Sequence, residues 1–128
     1  MAVRPALLTT ILIMGLLSLL GCSKKADLDG AVVIQLKKAG SDLSKLHNIE
    51  SFLYFPTQSV AEHAAPQVKA AGFDVQVKPA AKGTDWLCYA TKKMVPDLAA
   101  LQKIRVDFNS LAASLGGQYD GWGTEVEK

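Results

Sequence analysis

The chain of 128 residues has two histidines, two cysteines and no block of like charge, and each shortage removes a class of activity. His47 and His63 lie in different segments and lack cysteine or acidic ligands at the close spacing a metal site needs, so no metal ligand is assigned. No nucleophile and base stand in a recognisable arrangement. Ser110 and Ser114 fall on the solvent side of a helical segment, and Asp85 and Asp120 are turn-type acids, so no catalytic residue and no cofactor are expected. The 14 lysines and arginines are nearly balanced by 12 aspartates and glutamates, and they are interspersed, with Lys24-Lys25, Lys37-Lys38 and Lys92-Lys93 as local pairs. That pattern gives no electrostatic footprint for nucleic acid.

A long apolar run is present at the start, from Ala6 to Leu20 behind Arg4, and it closes in Leu19-Leu20-Gly21-Cys22. A positive start, an apolar core too short for a comfortable membrane span and a small residue before the cut describe a secretory signal. The tetrad predicts cleavage by signal peptidase II before Cys22, with Leu19 and Gly21 recognised by the peptidase and a diacylglyceryl group placed on the Cys22 sulfur. Two acyl chains anchor a protein stably where one holds it only reversibly. The expected organisation is a signal peptide over 1–21, a lipidated tether over 22–29 and one domain over 30–128, in the bacterial cell envelope and facing away from the cytoplasm. Ser23, where an aspartate would retain the protein in the inner membrane, points to the outer membrane. A lipidated Cys22 has no sulfur for a disulfide. Cys88 then stands alone in the strand-like Trp86-Leu87-Cys88-Tyr89-Ala90 and reads as a small buried hydrophobe.

Leu28, Val32, Val33 and Leu36 fall at helical spacing, and Gly40 is placed to end that helix in a left-handed cap. From His47 to Pro56 the period changes to two, with Ile49, Ser51, Leu53 and Phe55 on one face and Glu50, Phe52 and Tyr54 on the other. Thr57 or Ser59 can cap the next helix, which carries the stripe Ala61, Ala64, Ala65, Val68 and Ala71. Pro66 predicts a kink or a fresh start there. Phe73, Val75 and Val77 alternate with polar residues as a strand, Pro79 to Gly83 turns, and Asp85 to Thr91 returns to form a hairpin. Pro96 and Asp97 open the longest helix, with Leu98, Leu101, Ile104, Phe108, Leu111 and Leu115 inward until Gly116-Gly117 stops it. Tyr119 to Val126 reads as a last strand broken by glycines.

This order is α+β: a ferredoxin-like βαββαβ arrangement, an antiparallel four-stranded sheet with two helices on one face, preceded by an N-terminal helix. The second sheet face stays open unless the N-terminal helix, a partner chain or a ligand covers it, which makes Phe52 and Tyr54 the candidate interaction face. The sequence signature of single-stranded RNA readers, which stack bases on such a sheet, is absent.

The segment Tyr119-Asp120-Gly121-Trp122-Gly123-Thr124 resembles the RraB family of regulators of ribonuclease E activity. Asn48-Ile49-Glu50 at the first strand, Ala70-Ala71-Gly72-Phe73 at a helix end and the Pro96-Asp97-Leu98 helix start support the resemblance, which covers about residues 30 to 126. It implies a ferredoxin-like fold, no catalysis and action by binding another protein. In combination with the signal, the expected function is a non-enzymatic lipoprotein that acts as a membrane-anchored interaction module. The membrane is engaged through Cys22, a protein partner or a second copy of the chain is bound, and no nucleic acid is. Two alternatives stand beside it: inhibition of ribonuclease E, as in the cytoplasmic members, and a small-ligand module that uses Phe52, Tyr54 and Trp122. The motif residues themselves, Trp122 included, are expected to be structural, with Trp122 partly buried and holding the last strand on the sheet.

Overall fold

A computed structural model describes residues 27–128, so Leu19, Gly21, Cys22 and the signal segment lie outside the described residues. The elements run α1 (Leu28–Lys38), β1 (His47–Phe55), α2 (Gln58–Ala70), β2 (Asp74–Pro79), β3 (Trp86–Met94), α3 (Leu98–Ser114) and β4 (Gln118–Gly123). The four strands form one sheet in the order β2-β3-β1-β4, the ferredoxin-like order, in an α+β fold with the expected N-terminal helix. Two compact units are distinguished. One comprises residues 27–49, Lys93–Gln102 and Gly123–Lys128, and the other Glu50–Lys92 and Lys103–Trp122.

The larger unit is built on the two-residue period of β1. Leu53 and Phe55 enter a core with Ala61, Ala64 and Val68 of α2, Phe73, Cys88 and Ala90, Phe108 and Ala112 of α3, and Tyr119 of β4. Both helices therefore bury their apolar stripes against one face of the sheet. Three rings run through this core, with Phe73 and Phe108 centroids 5.2 Å apart and Phe108 and Tyr119 5.7 Å apart in an edge-on pair. Cys88 is fully buried and its thiol donates to the Ala61 carbonyl at 3.2 Å. Burial pushes the thiol up to about 11, so at neutral pH it is a protonated, inert core group.

The helix ends follow local chemistry. Thr57 caps α2, accepting from the Val60 amide at 3.2 Å, and Ser59 lies inside the helix. α2 runs through Pro66 as one element rather than restarting there. Glu62 and Pro66 both lie on the exposed side, where water can take the carbonyl bond the proline cannot. Asp97 caps α3 by accepting from the Ala100 amide at 3.0 Å. α3 ends in a Schellman turn, with Gly117 N–H on the Ala112 carbonyl, Gly116 N–H on the Ala113 carbonyl and Gly116 at φ +73°. β3 is longer than its apolar run, reaching Met94 through Lys92 and Lys93, and β4 stops at Gly123 rather than Val126. Pro79, the last residue of β2, is tolerated because β2 is an edge strand.

In the smaller unit, Asp27 caps α1 through the Gly30 amide at 2.9 Å and also accepts from Gln102 Nε2 at 3.2 Å. α1 thus begins inside the stretch read as tether. It ends at Gly40, φ +96°, again in a Schellman turn, with Ser41 N–H on the Leu36 carbonyl and Gly40 N–H on that of Lys37. Val32, Leu36, Ile49 and Leu101 are buried. His47 is buried as well and both ring nitrogens are bonded, Nδ1 to the Lys45 carbonyl at 2.8 Å and Nε2 to Ser41 Oγ at 2.6 Å. Because a carbonyl can only accept, Nδ1 carries the proton in the neutral ring and Nε2 accepts from Ser41. Ser41 Oγ in turn accepts from the Glu127 amide at 2.9 Å, and Thr124 Oγ1 donates to the Asn48 carbonyl at 2.9 Å. The last residues are fastened by these bonds, not by strand pairing.

Two variant sets test this account. A Cβ on Gly117 would overlap the Tyr54 carbonyl and the Phe55 ring, whereas one on Gly116 meets open space and only the strain of positive φ. Gly117→Ala is expected to lose about 2 to 3 kcal/mol in chemical denaturation and Gly116→Ala about 1 kcal/mol; equal losses would contradict the close approach. Ser41→Ala leaves His47 Nε2 and the Glu127 amide without their partner and is expected to cost about 1 to 3 kcal/mol in the same measurement.

Candidate functional site

Parity fixes what the second face of the sheet displays. Because Leu53 and Phe55 point to the helices, Glu50, Phe52 and Tyr54 of β1 point away. The β2–β3 register sets Asp74 opposite Thr91, Gln76 opposite Tyr89 and Lys78 opposite Leu87, all on that same second face, while Val75, Val77, Cys88 and Ala90 face the helices. Tyr119 enters the core, so Gln118 and Asp120 of β4 also lie on the second face.

Phe52 and Tyr54 are half-buried, not fully exposed. Phe52 packs on Tyr89 with centroids 5.8 Å apart and planes tilted by 43°. The Tyr89 hydroxyl donates to Glu50 Oε2 at 2.6 Å, and Lys78 Nζ sits 4.5 Å from the centre of the Tyr89 ring. The centre of the face is therefore an aromatic pair with one carboxylate and one ammonium already engaged on it.

Beside this pair the face opens into a cavity of about 410 Å³ lined by Tyr54, Ala80, Ala81, Lys82, Asp85, Gln118 and Asp120. The hairpin loop is folded back there by the bond from the Ala80 amide to the Asp85 carbonyl at 2.9 Å, with Gly83 at φ +74°. Desolvation holds the Asp120 carboxyl above its ordinary value. The Tyr54 phenol is raised first by desolvation and then by the charge of Asp120. Desolvation is the first cause of both shifts, and the second cause of the Tyr54 shift is the nearby charge of Asp120.

Of the residues singled out in sequence, Phe52 and Tyr54 share the face, and Tyr54 and Asp120 share the cavity. Trp122 is 1% exposed, more deeply buried than expected, and does not line the cavity, so of the three aromatics of a small-ligand site only Tyr54 borders it. Tyr119 is in the core, Gly121 is buried at φ +93°, Gly123 is buried, and Thr124 holds the Asn48 carbonyl. His63, Ser110 and Ser114 are exposed on their helices. Among the described residues no group of three His, Cys, Asp or Glu side chains could hold a metal ion, and no helix is long and apolar enough to cross a membrane. Tyr89 and Lys78 were missed in sequence, although the parity of the β3 run, counted from a buried Cys88, places Tyr89 on the face of Phe52; Glu50 was read on that face but given no role. The cavity had no sequence signal, because its lining comes from three separate segments.

A family model described as "Regulator of ribonuclease activity B" matches residues 26–124. No curated protein sequence matches the chain.

Asp120 gives the site a pH signature. Its folded value lies above its unfolded one, so ionising it destabilises the fold, increasingly as pH rises from the ordinary value of 3.8 through the folded value. Asp120→Asn is expected to raise the melting temperature at neutral pH, with the gain vanishing below the ordinary carboxylate range. The same variant should bring the Tyr54 phenol titration, followed by ultraviolet absorbance and assigned with Tyr54→Phe, part of the way down. An unmoved Tyr54 titration would mean the two groups do not share the cavity.

Proposed function

The chain belongs to the RraB family, and from that premise we propose that it is a non-enzymatic, lipid-anchored module that acts by binding another protein. The observation that carries this reading is the family match over residues 26–124, because a regulator of a ribonuclease works through contact with its target. The second sheet face supplies the contact surface in this reading, with Phe52 and Tyr54 as half-buried aromatics able to lose their remaining exposure to a partner. A second copy of the chain is one candidate for that partner. Leu19-Leu20-Gly21-Cys22 supports an anchor in the cell envelope, with the domain on the side away from the cytoplasm. In that place the partner is an envelope protein. No catalytic residue, metal, cofactor or nucleic acid enters the proposal.

The family match itself favours a second reading, regulation of a cytoplasmic ribonuclease, which requires an unprocessed leader and a domain left in the cytoplasm. Mass spectrometry of the N-terminus from the membrane fraction, beside a Cys22→Ala variant, separates the two. Loss of residues 1–21 with a diacylglyceryl adduct on Cys22 is expected; an intact, unlipidated chain would overturn the anchored reading and make direct binding to ribonuclease E the next measurement. The face is tested by Phe52→Ala with Tyr54→Ala, expected to weaken association at least about tenfold. Unchanged self-association and partner capture would remove the face from the proposal.

A further inference from the structure

The charges on the second face divide into those already engaged and those that are not. Glu50 accepts from the Tyr89 hydroxyl, and Lys78 lies over the Tyr89 ring. Asp85 and Asp120, in the cavity beside that pair, have no side-chain hydrogen bond or ion pair among the described residues. Lys82 is the one cation among the lining residues and pairs with neither acid, so the lining carries a net negative charge; Lys82, Asp85, Gln118 and Asp120 are all exposed. Tyr54 supplies an aromatic wall, and Gln118 an amide able to donate or accept.

We propose that this cavity receives a basic side chain, arginine above all, from a partner segment laid along the Phe52–Tyr89 pair. The inference rests on the reading of that face as an interaction surface and adds what the partner must present. Three features select this occupant. Two carboxylates and one ammonium favour a cation over an anion, and the volume, within the range of ordinary binding pockets, admits a long side chain with its water. A planar guanidinium can lie against the Tyr54 ring while its N–H groups reach Asp120, a geometry an ammonium matches less well. The charge of Asp120 already reaches the Tyr54 phenol, which sets the two side chains close together, and a cation beside Asp120 offsets the burial that disfavours its ionised form. The apolar pair next to the cavity supplies contact area, and the cavity supplies selectivity of charge.

The test uses the full chain in detergent and the blocked peptide N-acetyl-Leu-Arg-Leu-amide, with the citrulline analogue as a neutral control of the same shape. The arginine peptide is expected to shift the amide resonances of Tyr54, Gln118 and Asp120. It should bind at least about tenfold more tightly than the citrulline peptide and weaken as salt is raised. Asp120→Asn should remove most of that difference while retaining the fold by circular dichroism. Equal binding of the two peptides, indifference to both Asp120→Asn and salt, or no resonance shift at millimolar peptide would each overturn the proposal. If Phe52→Ala abolishes binding while Asp120→Asn leaves it unchanged, the interaction face stands and the charge selection falls. If partner capture survives Phe52→Ala with Tyr54→Ala, the face itself is wrong.

Discussion

Both faces of β1 carry apolar side chains, and the register of this one strand decides what each layer of the larger unit receives. A slip by one residue would carry Leu53 and Phe55 out of the core and put Phe52 and Tyr54 in their place, because side chains alternate strictly along a strand. The larger rings would not fit a core closed by the small residues Ala61, Ala64 and Ala112. Gly117 blocks the slip from the other side. Its missing side chain lets the end of α3 pass directly over the Tyr54 carbonyl and the Phe55 ring, so β1 is fixed along its length as well as in its facing. The candidate face is in this sense a by-product of core packing, since Phe52 and Tyr54 face outward because their neighbours must face inward.

Much of this was legible in the residues because the signals were periodic. The alternation in β1 and in β2, the three-and-four spacing of α3 and the glycines after α1 and α3 each state a local rule that the fold obeys. What the sequence hid were the places where context replaces local preference. Pro66 does not break α2, since its lost hydrogen bond is on the wet side. Lys92 and Lys93 extend β3 although a lysine pair reads as a loop: Lys92 can leave the strand edge to bond the Ala71 carbonyl at 3.2 Å and approach the Phe73 ring. Thr124 to Val126 look like strand residues, but this end of the chain is fastened through the Ser41–His47 network, a pairing over 86 positions of sequence that no short-range pattern announces.

The same contrast separates the two parts of the candidate site. Strand parity puts Phe52 and Tyr89 on one face, because each is one step from a buried residue, and the adjacency of β1 and β3 in the sheet brings them together. The cavity does not, because Tyr54, the hairpin loop and Gln118 with Asp120 meet only in the folded chain. Asp120 shows the cost of reading a turn acid locally. Asp42 in a turn does bond to its neighbour, accepting from the Ser44 amide at 3.0 Å and the Ser44 hydroxyl at 2.6 Å, and its carboxyl is lowered accordingly. Asp120 makes no such bond and its carboxyl is raised. Two acids of one residue type are thus pushed in opposite directions, and the difference is whether a donor or a desolvating wall stands nearby.

Net charge conceals this difference. The chain is near neutral, and its ordinary surface pairs are worth little: Lys103 and Asp107, one helical turn apart at 2.9 Å, are both largely exposed. Long-range steering by a large field of one sign is therefore not available to this domain. What remains is short-range selection by contact: Asp120 is partly desolvated yet still exposed to water, so it acts on a group that comes close to it rather than at a distance. A partner chosen this way must first find the aromatic pair by contact and then satisfy the cavity. A membrane anchor on Cys22 would suit that order, because confinement to one surface raises the effective concentration of a partner held in the same membrane and relieves the domain of the need to attract it from a distance.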